Sequence, residues 1–210
     1  LIASNRALDR HGGGIAAVGP DADVAVSETV FRSNRTLFRG GAVSAQDEAT
    51  VDVHNTLIAS NNAGMSGAHC YSASDATIRA TFTTFADALG LPLARGSALH
   101  AVGGQIDLQR SVLVRGQNFP VKSCAADAGG TFLVRFGFTD DPTCAYGPGV
   151  TFLSQLGLNA DYAPAATSLL VGKGGAKCPA ADATGASRAH SCDPGGLASI
   201  AEAKVAFDSG

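Results

Sequence analysis

A short apolar-x-apolar triplet returns along this chain at an almost constant interval. Val24-Ala25-Val26, Val51-Asp52-Val53, Ile78-Arg79-Ala80, Ile106-Asp107-Leu108 and Phe132-Leu133-Val134 begin 27, 27, 28 and 26 residues apart. Alternation within each triplet is that of a strand with one buried face. A unit this short cannot close a core of its own, so the repeat demands stacking. Copies laid about 4.8 Å apart let every inward Val, Ile, Leu or Phe pack on its equivalents above and below. Burying each such side chain contributes about 1.5 to 3 kcal/mol.

Other columns keep the same beat. Five residues after each triplet come Thr29-Val30-Phe31, Thr56-Leu57-Ile58, Thr83-Thr84-Phe85 and Ser111-Val112-Leu113, whose third position is always large and apolar. Three residues further on stand Asn34 and Asn61, then Ala88 and Gly116; Ile2-Ala3-Ser4-Asn5 matches this column at the start of the chain. Asparagines repeated in one column predict a hydrogen-bonded ladder along the stack. A third column is led by glycine: Gly13-Gly14-Ile15, Gly40-Gly41-Ala42, Ser66-Gly67-Ala68 and Gly96-Ser97-Ala98, where tight corners call for positive φ. Three short strands per coil follow.

The expected fold is all-β: a right-handed parallel β-helix of coils of about 27 residues. The coils occupy 1–137, and 138–210 forms an irregular final coil and a loop-rich, disulfide-stapled cap belonging to the same domain. Among 210 residues, 26 glycines, no tryptophan and one methionine suit stacked strands better than amphipathic helices. Leucine-rich and helical repeats need regular leucines or long helical stretches that are missing here. A β-sandwich would supply short strands, but not the same residue class in register at a fixed period. A net charge of -3 argues against a nucleic-acid partner, and no apolar run is long enough for a membrane span. The mid-repeat start at Leu1, without a leader, predicts a piece of a longer chain whose open first coil could pair end to end with another molecule.

Four of the five cysteines, Cys124, Cys144, Cys178 and Cys192, lie in the Gly/Pro-rich C-terminal half. Two local disulfides, Cys124 to Cys144 and Cys178 to Cys192, and an oxidising, extracellular compartment are the reading; the alternative is a reduced cytosolic protein with scattered thiols, in which no Cys-x-x-Cys metal spacing occurs. Cys70 is left over. The coil pattern decays after Gly137; Asp140 and Asp141 read as loop residues, and Leu197, Ile200, Ala201 and Lys204 have helical spacing within a cap over the last coil.

Gly40-Gly41-Ala42-Val43 and Phe31-Arg32-Ser33-Asn34 resemble repeats of polymorphic outer-membrane proteins and other pectin lyase-like β-helices, over about the first 135 residues. Ser168-Leu169-Leu170-Val171-Gly172-Lys173-Gly174, with Cys178-Pro179-Ala180-Ala181-Asp182-Ala183-Thr184-Gly185 and Cys192-Asp193-Pro194-Gly195, resembles the closing segment of bacterial choice-of-anchor Q domain proteins. That family usually has proline and alanine after the serine, and aspartate where this chain has Gly172. The resemblance implies a secreted or cell-surface location, with adhesion or display as a common role and polysaccharide cleavage in distant relatives.

Asp52, Arg79 and Asp107 share one outward column on successive coils. A polysaccharide lyase needs acids to hold Ca²⁺ on a uronate and a base for the α-proton, and these types suit it. An alternating-charge ladder explains them equally well and more simply. A glycoside hydrolase would need a carboxylate pair, for which only Asp140 and Asp141 offer themselves. His54 shares a polar strip with Ser27, Thr81, Gln109 and Arg135. His69, Cys70 and His100 come close when copies are aligned, Cys70 and His100 in one column, but three ligands define no zinc site. Asn34-Arg35-Thr36 is a formal glycosylation acceptor whose asparagine is expected inside the stack. No nucleotide-binding loop occurs, since Gly12-Gly13-Gly14 and Gly172-Lys173-Gly174-Gly175 lack the required context. The expectation is a secreted or surface module, adhesive or structural, contacting glycan or protein without cofactor or metal; the alternative is a carbohydrate-active enzyme, lyase before hydrolase, using Ca²⁺.

Overall fold

A computed structural model describes residues 1–90, 96–115, 122–145, 147–175, 178–188 and 193–196. The chain is a parallel β-solenoid in which every named strand pairing is parallel. Three sheets run along it, of ten, five and four strands.

The first sheet carries the triplets. Asp23–Ser27, Thr50–Ala59, Thr77–Ala86, Gln105–Gln109 and Thr131–Arg135 stack with Val24, Val51, Ile78, Ile106 and Phe132 in one register. The same sheet continues around a corner, where Phe31, Ile58, Phe85 and Leu113 face the core and Ile2 lies beneath Phe31. The third sheet, Arg6–Ala7, Arg35–Thr36, Asn62–Ala63 and Leu89–Gly90, follows the asparagine column. The second sheet, Ile15–Val18, Val43–Gln46, Cys70–Ala73, Leu99–Val102 and Cys124–Asp127, completes each coil.

Corners repeat as faithfully as strands. Glu28, Asn55, Phe82, Arg110 and Phe136, next to each other along the stack, all have φ near +50°, as do Ser4, Ser33, Ser60 and Asp87 one residue before the asparagine column. The fully buried Asn34 forms the expected ladder. Its Nδ2 donates to Asn61 Oδ1 (3.0 Å) and its Oδ1 accepts from Asn5 Nδ2 (2.9 Å). The backbone N–H groups of Asn34 and Asn5 donate to the same two side-chain oxygens (2.9 and 3.1 Å), so each rung fixes the turn below it. Gly116 of this column lies outside the described residues.

The glycine column needs a correction of register. Positive φ falls at Gly12, Gly40, Gly67 and Gly96, each three residues before a second-sheet strand, so the first and third copies are displaced by one residue from the alignment on Gly13 and Ser66. A Cβ on Gly40 would meet the Val43 carbonyl oxygen at 2.6 Å, which is why a backbone requirement and not a side-chain pattern governs this column. The intervals between second-sheet strands, 28, 27, 29 and 25, also vary more than those of the first sheet.

Beyond the fifth coil, Phe138–Thr139 and Thr151–Phe152 extend the first sheet, and the expected Cys124–Cys144 disulfide closes a loop of sequence separation 20. Asp141 secures that loop. It is 3% exposed and caps the short 3₁₀ turn Pro142–Cys144 by accepting from Thr143 N (2.8 Å) and Thr143 Oγ1 (2.7 Å), while the Ser123 hydroxyl donates to its other oxygen. The chain then turns back along the flank of the stack. Leu156 and Leu170 cover Val112, and Ala183 with Tyr162 and Ala163 covers Leu57, Ala59 and Ala86. Arg188 pins this return: it donates to Asn55 Oδ1 (3.2 Å) and to the Asp193 and Gly195 carbonyls (both 2.9 Å), and lies over the Phe82 ring. Cys192 and the helical-spacing residues Leu197, Ile200, Ala201 and Lys204 lie outside the described residues, and the expected Cys178 to Cys192 pairing with them.

Candidate functional site

Three places gather polar side chains. The first is the outer face of the first sheet, where Asp52, Arg79 and Asp107 occupy one column, as their spacing requires. Arg79 Nη1 meets Asp52 Oδ1 at 3.4 Å with both side chains half-exposed, and Arg135 Nη2 meets Asp107 Oδ2 at 2.5 Å. Each acid thus faces a guanidinium from an adjacent coil, the arrangement of a charge ladder. Ser27, His54, Thr81, Gln109 and Arg135 line up beside it. His54 is not wholly free to face water, because it meets the edge of Phe82; burial, and secondarily Arg188, lowers its pKa.

The second place corrects the grouping of His69, Cys70 and His100. Cys70 pairs with Leu99, and His100 pairs with Tyr71. That single-residue difference puts Cys70 and His100 on opposite faces of the second sheet. Cys70 is fully buried in the core, where desolvation pushes its thiol far up. His69 is also interior, with its ring beside Phe85 at 6.1 Å. Burial drives its pKa to about 3. The Ala86 backbone approaches the ring, yet neither nitrogen has a well-aligned hydrogen bond among the described residues.

His100 instead joins a network on the outside of the second sheet. An ionised carboxylate only accepts, so His100 Nε2–H donates to Asp127 Oδ2 (3.0 Å), and Nδ1 accepts from the Ser66 hydroxyl (2.9 Å). Burial lowers the His100 pKa, opposed by Asp127. Serine, histidine and aspartate in series have the composition of a nucleophilic triad, but the order of exposure is reversed: Ser66 is 5% exposed, while the acid is the outermost member. A substrate would meet the carboxylate before the hydroxyl. The network therefore orients His100 against Tyr71, whose ring it meets edge-on at 6.1 Å. Tyr71 is covered in turn by the Arg39 guanidinium (5.2 Å) and by the His11 ring stacked at 5.4 Å.

His11 leads to the third place, a cleft of about 370 Å³ at one edge of this network. Its apolar wall is Ala16, Val18 and Phe38, and its polar rim is Asp9, Arg10, His11, Gln46 and Asp47. Two loops position the rim, one preceding the Gly12 corner and the other turning at Asp47 with φ +55°. Nothing in the repeat pattern singles this group out: Ala16, Val18 and Gln46 are outer or end positions of second-sheet strands, and the others occupy the variable connections between columns. A larger, shallower cleft of about 760 Å³ lies where the returning chain leaves the first coil uncovered, between Val30 and Ala183.

No protein-family model, curated protein or solved structure matches this chain.

Proposed function

We propose that this chain is a secreted or cell-surface β-solenoid module with an adhesive or structural role, presenting a regular lateral face to glycan or protein. One observation carries the reading. The outer face of the first sheet holds polar and charged side chains in straight rows over successive coils, with acids and guanidinium groups neutralised pairwise by their neighbours. Such a surface is stiff and repetitive, suited to repeated weak contacts along an extended partner. The resemblance of its repeats to pectin lyase-like and polymorphic outer-membrane proteins, and of its final segment to choice-of-anchor Q domains, supports the same role. A disulfide is compatible with export, and among the described residues no helix is long and apolar enough to cross a membrane.

The test is a glycan-array and surface-protein binding screen of the purified chain with calcium, run beside an absorbance assay for unsaturated uronate products. Binding without turnover is the expected result. Product formation lost in Arg79→Ala would replace this reading with a polysaccharide lyase, and absence of both binding and turnover would overturn the adhesive role.

A further inference from the structure

The cleft beside His11 combines features that no element of the stack requires. Phe38 and Val18 are 38% and 58% exposed, although both are large and apolar. Phe38 stands against His11 with ring centroids 5.7 Å apart, so one wall of the cleft is a corner of two rings. Also lining the cleft, Asp9 and Asp47 supply carboxylate acceptors, and Gln46 is steadied by its Nε2–H donation to Ser44 Oγ (3.2 Å). His11 is held in place from behind: its Nδ1 is shielded from solvent, and the Arg39 backbone approaches the ring without a well-aligned hydrogen bond among the described residues.

The charge balance selects among ligands. The two rim carboxylates, Asp9 and Asp47, are balanced by Arg10 on the rim and by Arg39 beside His11, so the cleft offers no net positive charge to draw in phosphate, sulfate or uronate. Burial and the nearby Arg39 lower the His11 pKa, so the imidazole is neutral near pH 7 and forms ordinary hydrogen bonds instead of attracting anions. A ligand with one apolar face and several neutral hydroxyls matches both walls. A pyranose ring has that form: its axial C–H groups cover an aromatic face while its equatorial hydroxyls donate to carboxylates. A volume of about 370 Å³ admits one or two such rings.

We infer that the cleft formed by Asp9, His11, Val18, Phe38, Gln46 and Asp47 is a binding subsite for a neutral hexopyranose unit. It rests on the glycan branch of the module reading but uses a separate surface from the first-sheet ladder. A polysaccharide running along the solenoid would be held there by a terminal or branching residue, with the rest of the chain lying over the coils.

The experiment is an NMR titration of the isotopically labelled, full-length chain with the methyl β-pyranosides of glucose, galactose and mannose. Saturable shifts at Asp9, His11, Val18, Phe38 and Asp47 are expected for at least one of them. Phe38→Ala should weaken that binding about threefold to tenfold, the contribution of one aromatic stacking contact. Asp47→Asn, which keeps the residue size and tolerates positive φ, should weaken it about tenfold through loss of a charged acceptor. Both positions are exposed, and unchanged melting curves will show that each variant is folded. No saturable shift in the cleft with any of the sugars overturns the proposal. So does binding that neither substitution alters. Array binding abolished by changes on the first-sheet face but untouched by Phe38→Ala would reject the cleft and leave the module reading standing.

Discussion

Acidifying the protein from about pH 7 to about pH 4.5 sets the interior of the solenoid against the unfolded chain through His69. Its imidazole is fully buried beside Phe85, and its pKa in the folded state is about 3 against an ordinary 6.5. As the pH falls, the unfolded chain takes up the proton first. Stability is then undiminished above about pH 6.5 and is lost progressively towards about pH 3. Integrating between those two protonation curves gives a loss of roughly 2 to 3 kcal/mol between about pH 7 and about pH 4.5 from this one residue. The pKa values of His11, His54 and His100 are also lowered and add to the slope with the same sign. Urea unfolding of the wild type and of His69→Leu, measured at both pH values, isolates the contribution. Leucine has a similar volume and leaves no shielded nitrogen, so the variant should match or exceed the wild type at neutral pH and lose roughly 2 to 3 kcal/mol less on acidification. Equal losses in the two proteins would refute the picture of a neutral histidine locked in the core.

Asn34→Ala should cost about 1 to 3 kcal/mol, because it removes the acceptor for the Asn5 backbone and side-chain N–H groups and the Asn34 donors to Asn61 and Ile2, while the backbone bond to Asn61 survives; a change below about 0.5 kcal/mol in chemical denaturation would show that the ladder adds little. Reducing the Cys124–Cys144 disulfide should lower stability by about 3 kcal/mol, the chain-entropy value for a loop of this length, read as a fall in Tm with reductant. Arg79→Ala should change stability by less than about 1 kcal/mol, since its ion pair is half-exposed; a larger loss, measured by urea titration, would mean that the charge ladder holds the first sheet together.

The first sheet was legible because its signal is redundant. Val24, Val51, Ile78, Ile106 and Phe132 announce a core position, and the outward residue between each pair of inward ones confirms the alternation. The asparagine column was equally plain, since Asn5, Asn34 and Asn61 serve one bonding pattern. The second sheet is less legible because glycines are abundant there: an alignment on Gly13 and Ser66 falls one residue from the positive-φ corners at Gly12 and Gly67, which only the backbone dihedrals mark. That slip alone paired Cys70 with His100. The cleft residues Asp9, Phe38 and Asp47 gave no sign of their grouping, because they sit in connections whose length and sequence follow no period. The outward column Val30, Leu57, Thr84, Val112 and Phe138 is apolar at all but its middle position, a pattern that itself calls for a cover.

That cover has a kinetic consequence. A bare solenoid is nearly one-dimensional, each turn touching only the next, so its ends fray and it can unzip turn by turn. Here the returning chain bonds Asn55 to Ala181 and to Arg188, and Thr84 to Gly196, across sequence separations of 126, 133 and 112 residues. Such contacts raise the contact order sharply, which slows folding, and they tie the middle turns into one cooperative unit that must open together. Under force or heat, the molecule should yield in a single late event at the flank instead of peeling from an end.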